Sequence, residues 1–277
     1  MNLVAAMRGQ YRRSEKLLWR GIYTKAAIYA ATLLNAIWSN EIAAVVFLVF
    51  ACVGQASVLV LRSAIHAHVE LAERLRRLAM LQDGVGRDVP PLEAATLAEK
   101  IWMTPEQAIA LPYYTSSFQK GPKRLIDITA ECAFYSGSIA NAAWRTFLGI
   151  SIVASSALVL SLILVILVGT GHTRMEVMAK AALVGITFWM TEDFLEMSLK
   201  YRSLSVSCER ILQECSRLLE QQNPSAEDAY FTLHEYDSAF SNAPPLPSRI
   251  YRRRSQRLAE IWRETHPRTT AAQGGLS

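Results

Sequence analysis

The chain has 277 residues, a net charge of +5, a hydrophobic fraction of 51% and a mean hydropathy of +0.16. That balance is too charged for a protein made only of membrane helices, and it leaves room for a cytosolic part. Cys52, Cys132, Cys208 and Cys215 form no CxxC pair and have no nearby histidine ligands. They read as reduced thiols rather than a disulfide or zinc framework.

Met1–Gly21 sets Leu3, Val4, Met7, Tyr11, Leu17 and Leu18 among Arg and Lys, which predicts a basic amphipathic helix. Ala26–Ser39 is a short apolar segment preceded by Lys25. Ile42–Leu61, bracketed by Glu41 and Arg62, is a clearer one, with Gln55 and Ser57 as its strong polar groups. Ile65, Val69, Leu71, Leu75, Leu78 and Leu81 then continue the helix to a stop at Gly84 and Gly86. Pro90-Pro91 opens a shorter helix through Trp102, and Thr104-Pro105-Glu106-Gln107 reads as a further helix start. Pro112–Pro122 is a loop, and the chain is helical again from Lys123.

Thr146–Thr173 contains no Asp, Glu, Lys or Arg. Its centre, Phe147–Val168, would be roughly 33 Å long as a helix, against a bilayer core of about 30 Å. Val177–Met190 is weaker, holding Lys180 and running into Glu192 and Asp193. Leu195, Leu199, Leu204, Ile211, Leu212, Leu218 and Leu219 mark a helix that ends before Asn223-Pro224. Pro244-Pro245-Leu246-Pro247 is a stiff linker, and Ile250–Glu264 a final basic helix with Leu258, Ile261 and Trp262 on one side. No strand pattern and no internal repeat is present, so the expected fold class is all-α.

Charge placement orders these segments. Arg8–Lys25, Arg62–Arg145 and the segment from Lys200 onward carry the strongly basic stretches, while Trp38–Glu41 and Gly169–Glu176 are poor in bases. Positive residues favour the cytoplasmic side. Four spans place all the basic stretches on that side, so the expectation is a polytopic membrane protein with two transmembrane hairpins and both termini cytoplasmic. The expected division is a basic helix at 1–21, a first hairpin at 22–61, a cytosolic helical region at 62–145, a second hairpin at 146–199 and a cytosolic helix, linker and tail at 200–277. The N-terminus shows no h-region or cleavage site, which makes the first hairpin the expected insertion signal.

Several constellations admit two readings. Glu192 and Glu196 share a helix face near the inner end of the fourth span. They form either an acidic ring at a pore mouth or an interfacial helix end with Glu196 paired to Lys200. Asn35 and Gln55 either line a pore or bond between neighbouring helices. Arg74, Arg76, Arg77, Lys120, Lys123, Arg124, Arg252, Arg253 and Arg254 could hold phosphates of a small nucleotide, with Tyr113, Tyr114 and Phe118 near Lys120 for stacking, or could simply attract anionic lipid. His66 and His68 point apart on a helix and make a poor chelate. No metalloprotease, nucleophile-elbow or Walker motif is present, so no enzyme activity, metal or cofactor is expected. No nucleic-acid-binding motif is present either, which argues against duplex recognition.

Pro112-Tyr113-Tyr114 through Lys123-Arg124-Leu125, the stretch Ala130–Ser136, and the tail from Glu235-Tyr236-Asp237 through Pro244–Pro247 to Ile250-Tyr251-Arg252 lie in a two-hairpin layout. In that layout the chain resembles the SMODS-associated four-transmembrane pore-forming effectors of bacterial anti-phage systems, which are related to SLATT-type effectors. The resemblance implies a homo-oligomer in the bacterial inner membrane that permeabilises the bilayer. It also implies a trigger from a nucleotide second messenger made by a partner nucleotidyltransferase. A non-catalytic membrane-anchored scaffold that docks a cytosolic partner is the alternative.

Overall fold

A computed structural model of the chain describes residues 2–38, 41–101, 114–168, 185 and 194–265. Among these residues the chain folds into seven helices and no strand. They are α1 (Leu3–Trp38), α2 (Glu41–Gly84), α3 (Pro91–Lys100), α4 (Pro122–Val168), α5 (Phe194–Leu219), α6 (Ala226–Ser241) and α7 (Ser248–Thr265). The expected spans at 26–38 and 42–61 lie in α1 and α2, and 146–168 lies in α4. The remainder of the third segment and, apart from Gly185, the segment 177–190 fall outside the described residues. By length and composition, one described helix, Val49–Gly84 within α2, is able to cross a membrane.

Local chemistry explains several boundaries. Pro91 opens α3, whose first turn holds Glu93 and whose last turn holds Lys100, each suited to its end of the helix dipole. A capping box starts α6: the Ser225 hydroxyl accepts from the Asp228 amide at 3.0 Å, and the Asp228 carboxylate accepts from the Ser225 amide at 3.3 Å. Just past α2, Gly86 has φ +74, which an L side chain rarely tolerates.

The chain forms two compact units, and α1, α2, α4 and α5 each supply residues to both. The first unit comprises residues 1–13, 68–143 and 200–277. Part of its core joins Leu3, Ala6 and Met7 of α1 to Leu75 and Ala79 of α2 and Leu97 of α3. Burying a leucine this fully contributes about 1.5–3 kcal/mol. Gly84 lies against Leu125, and its carbonyl accepts from the Gly121 amide at 2.8 Å, which fixes the end of α2 against the start of α4. Helices α4 and α5 meet at Gly137, where a Cβ would stand 2.9 Å from the Cβ of Cys208. Ser205 donates to the Gly137 carbonyl at 3.2 Å, and the buried Tyr201 hydroxyl donates to the Pro245 carbonyl at 2.7 Å.

The second unit comprises residues 14–67 and 144–199. Its described contacts pack Gly54 of α2 on Ile28 of α1, and Phe147 of α4 on Phe194 of α5 at 6.1 Å between ring centroids. The Trp19 and Tyr23 rings lie 6.0 Å apart along α1. On α2, Val45, Val46, Val49, Val53, Leu59 and Val60 are all exposed, as are Ile152, Val153 and Val159 on α4.

The glycine contacts make a direct prediction. Gly137→Ala places a methyl against the stem of Cys208, which cannot rotate away, and lowers stability by about 1–3 kcal/mol. Gly21→Ala adds its methyl to open space and leaves stability unchanged or raises it by up to about 1 kcal/mol. Thermal unfolding of the detergent-solubilised variants measures both.

Candidate functional site

A buried polar network lies inside the first unit. Arg76 of α2 is buried, and its guanidinium reaches Glu73 one turn earlier at 2.5 Å and Asp237 of α6 at 2.8 Å. Arg77, exposed on the same helix, meets the other oxygen of Asp237 at 2.5 Å. Tyr11 of α1 donates its hydroxyl to Glu73. The Arg76 guanidinium carbon sits 4.6 Å from the centre of the Tyr236 ring and 4.2 Å from that of Phe240. Its Nε and Nη1 make no hydrogen bond among the described residues, so part of its charge rests against those rings. Tyr236 is in turn hydrogen-bonded to Ser136 of α4 at 2.8 Å. Two arginines and two carboxylates balance in charge, and four helices are tied together through them.

This environment moves proton affinities. Burial raises Glu73 above the ordinary carboxylate value, against the attraction of Arg76. Burial also raises Tyr11 and Tyr236, which therefore act as neutral phenols. A second buried carboxyl, Glu131 of α4, is raised by desolvation while its hydrogen bond from the Thr115 amide at 2.9 Å opposes the shift. Thr115 also accepts from the Trp262 indole at 3.3 Å, so this pair holds α7 near α4. Burial pushes Cys208 and Cys215 up to about 12, which leaves them protonated and weakly nucleophilic. Among the described residues no group of three His, Cys, Asp or Glu could hold a metal ion.

The basic residues proposed for phosphate binding are distributed differently from their sequence neighbourhood. Arg74 is exposed and meets Glu93 at 2.8 Å, Arg76 is buried, and Arg77 turns to Asp237, so the three do not form one anion cradle. Arg124 is committed to the fold: it donates to the Asp83 carboxylate at 2.9 Å and to the carbonyls of Asp83, Ser116 and Phe118. Lys123 donates to the Gln221 carbonyl at 3.3 Å and lies over Phe118, while Lys120 is exposed. Tyr114 is buried and Tyr113 lies outside the described residues. Arg252, Arg253 and Arg254 are exposed on α7. Of the pore-lining candidates, Gln55 and Glu196 are exposed on α2 and α5. The side chain of Asn35 and the whole of Glu192 lie outside the described set.

Asp237 enters the sequence analysis only within the tail stretch behind the resemblance, with no site role, and α6 is not among the expected helices. The signals were present: a capping box at Ser225 and Asp228, then Ala229, Leu233, Tyr236 and Phe240 at helical spacing, all buried.

Comparison with family models, with curated proteins and with solved structures found no match to this chain.

Removing one member of the buried ion pair strands the others. Asp237→Ala is expected to cost about 3–5 kcal/mol, and joint replacement of Arg76 by Met and Asp237 by Leu to recover a large part of it. Denaturant unfolding of the single and joint variants reads the coupling. A pH dependence follows from Glu131. Its carboxyl holds a proton more tightly when folded, so its contribution is full below the ordinary value of 4.5 and is lost as pH rises through the raised one. Glu131→Gln is expected to flatten the fall of melting temperature with pH above about 4.5, measured by thermal scans at stepped pH.

Proposed function

We propose that this chain is a multi-pass membrane effector that oligomerises into a gated pore, with two transmembrane hairpins and both termini cytoplasmic. The observation that carries the membrane part is the exposed apolar face of α2, where Val45, Val46, Val49, Val53, Leu59 and Val60 are all more than half exposed. So continuous an apolar surface is unfavourable in water and matches lipid or a second copy of the same helix. Exposed Ile152, Val153 and Val159 on α4 support the same reading for the second hairpin.

Pore formation is the further step. Four spans from one chain are few for an internal channel, so several copies would surround the pore. Gln55 on α2 and Glu196 at the start of α5 are polar groups on exposed faces, suited to a subunit contact or a conduction path. Control by a nucleotide second messenger and a role in anti-phage defence are implied by the family resemblance alone. Arg76, Arg77 and Arg124 are engaged by carboxylates within the fold and Lys123 donates to the Gln221 carbonyl, so any phosphate ligand would meet Lys120 or the exposed α7 arginines instead. The scaffold alternative draws on exposed Leu92, Tyr230 and Phe231, apolar side chains on the first unit that a protein partner could cover.

Dye-loaded vesicles separate the two readings. Reconstituted protein under activating conditions is expected to release a small anionic or cationic dye, and Gln55→Leu or Glu196→Gln to change the rate or the charge preference several-fold. Intact vesicles, together with an unchanged membrane potential in cells expressing the triggered protein, would sink the pore and favour the scaffold.

A further inference from the structure

The arginines of α7 are placed unlike the others described above. Arg76 and Arg77 meet Asp237, Arg124 meets Asp83, and Arg217 meets Glu214 at 2.5 Å. Arg249, Arg252, Arg253 and Arg257 are all exposed, and none meets a carboxylate among the described residues. Their spacing puts them on one face of α7, opposite the buried Leu258 and Trp262. That buried side is fastened: Trp262 packs on Phe134 at 5.3 Å between ring centroids and donates its indole N–H to Thr115. The basic face is therefore held outward.

The position of these charges is unfavourable for the isolated helix. Arg249, Arg252 and Arg253 crowd the first half of α7, whose first turn contains no acidic residue, and Glu260 and Glu264 come only in its later turns. Cations at the positive end of a helix dipole, beside like charges, destabilise the helix unless an anion joins them. A local rule broken without an internal compensation points outside the molecule.

We infer that this face of α7 docks on the phosphate headgroups of anionic phospholipid. The inference rests on the membrane reading above. A chain anchored in a bilayer has headgroup phosphate as its most concentrated nearby anion, and the arginine fork binds phosphate through paired N–H groups. The contact is electrostatic and weakens as ionic strength rises.

The test uses the full chain in nanodiscs of neutral phosphatidylcholine, offered vesicles that contain phosphatidylglycerol or phosphatidylcholine alone. Capture of the anionic vesicles is expected to exceed that of the neutral ones at least tenfold. Joint replacement of Arg249, Arg252, Arg253 and Arg257 by Gln is expected to remove that preference, and joint replacement by Lys to keep most of it. Free inorganic phosphate at equal phosphate concentration is expected to compete poorly. Equal capture of both vesicle types, or an unchanged preference in the Gln variant, overturns the proposal. Displacement of the vesicles by a single-stranded oligonucleotide at a lower phosphate concentration overturns the lipid assignment. A chain that resists alkaline extraction from its disc yet captures neither vesicle overturns the docking face and leaves the membrane reading standing.

Discussion

A buried guanidinium has few acceptable surroundings. Its transfer from water is costly unless carboxylates, hydrogen bonds or aromatic faces replace the lost hydration. Arg76 obtains all three kinds of compensation from two helices, with a third bracing them. Glu73 is on its own helix, Asp237, Tyr236 and Phe240 come from α6, and Tyr11 of α1 closes the set by bonding Glu73. The position of α6 on the first unit is thereby determined by charge as well as by apolar packing. Ser136, bonded to Tyr236, carries the same constraint into α4.

The two units solve opposite problems. The first hides polar groups, with Arg76, Glu131 and Asp237 all buried and each held by a named partner. The second presents valines and isoleucines outward. A polar interior under one set of residues and an apolar exterior on another is what the proposed membrane anchoring would require. Close backbone approach serves both: Gly137 admits Cys208 in the first unit, and Gly54 admits Ile28 in the second.

Helix periodicity made most of the architecture legible. The continuous run from Ile42 to Gly84 and the stop at Gly84 and Gly86 were read from apolar spacing and two glycines, and α2 ends there. The partners of the arginines were not legible. Arg74, Arg76 and Arg77 look like one basic cluster in sequence, yet a helix turns successive side chains about 100 degrees: Arg74 meets Glu93, while Arg76 and Arg77 meet the two oxygens of Asp237. Asp237 lies 161 residues from Arg76 in sequence, a pairing that no local pattern encodes. Proline-rich and proline-flanked stretches near α6 drew attention to linkers, while the capping box that starts the helix passed unread.

The discontinuous make-up of the first unit has a consequence for biogenesis. Its core draws on residues 1–13, 68–143 and 200–277, so Leu3, Ala6 and Met7 can meet Leu75, Ala79 and Leu97 as soon as α3 is made, while the contacts to 200–277 wait for the later residues. Tyr11 meets Phe240 at 6.1 Å between ring centroids, a contact that cannot form until α6 has left the ribosome. Helix α1 therefore remains only partly packed until those later residues have been made. Closure of the first unit is therefore a late event, and a nascent chain cut short before Asp237 would leave Arg76 without its second carboxylate.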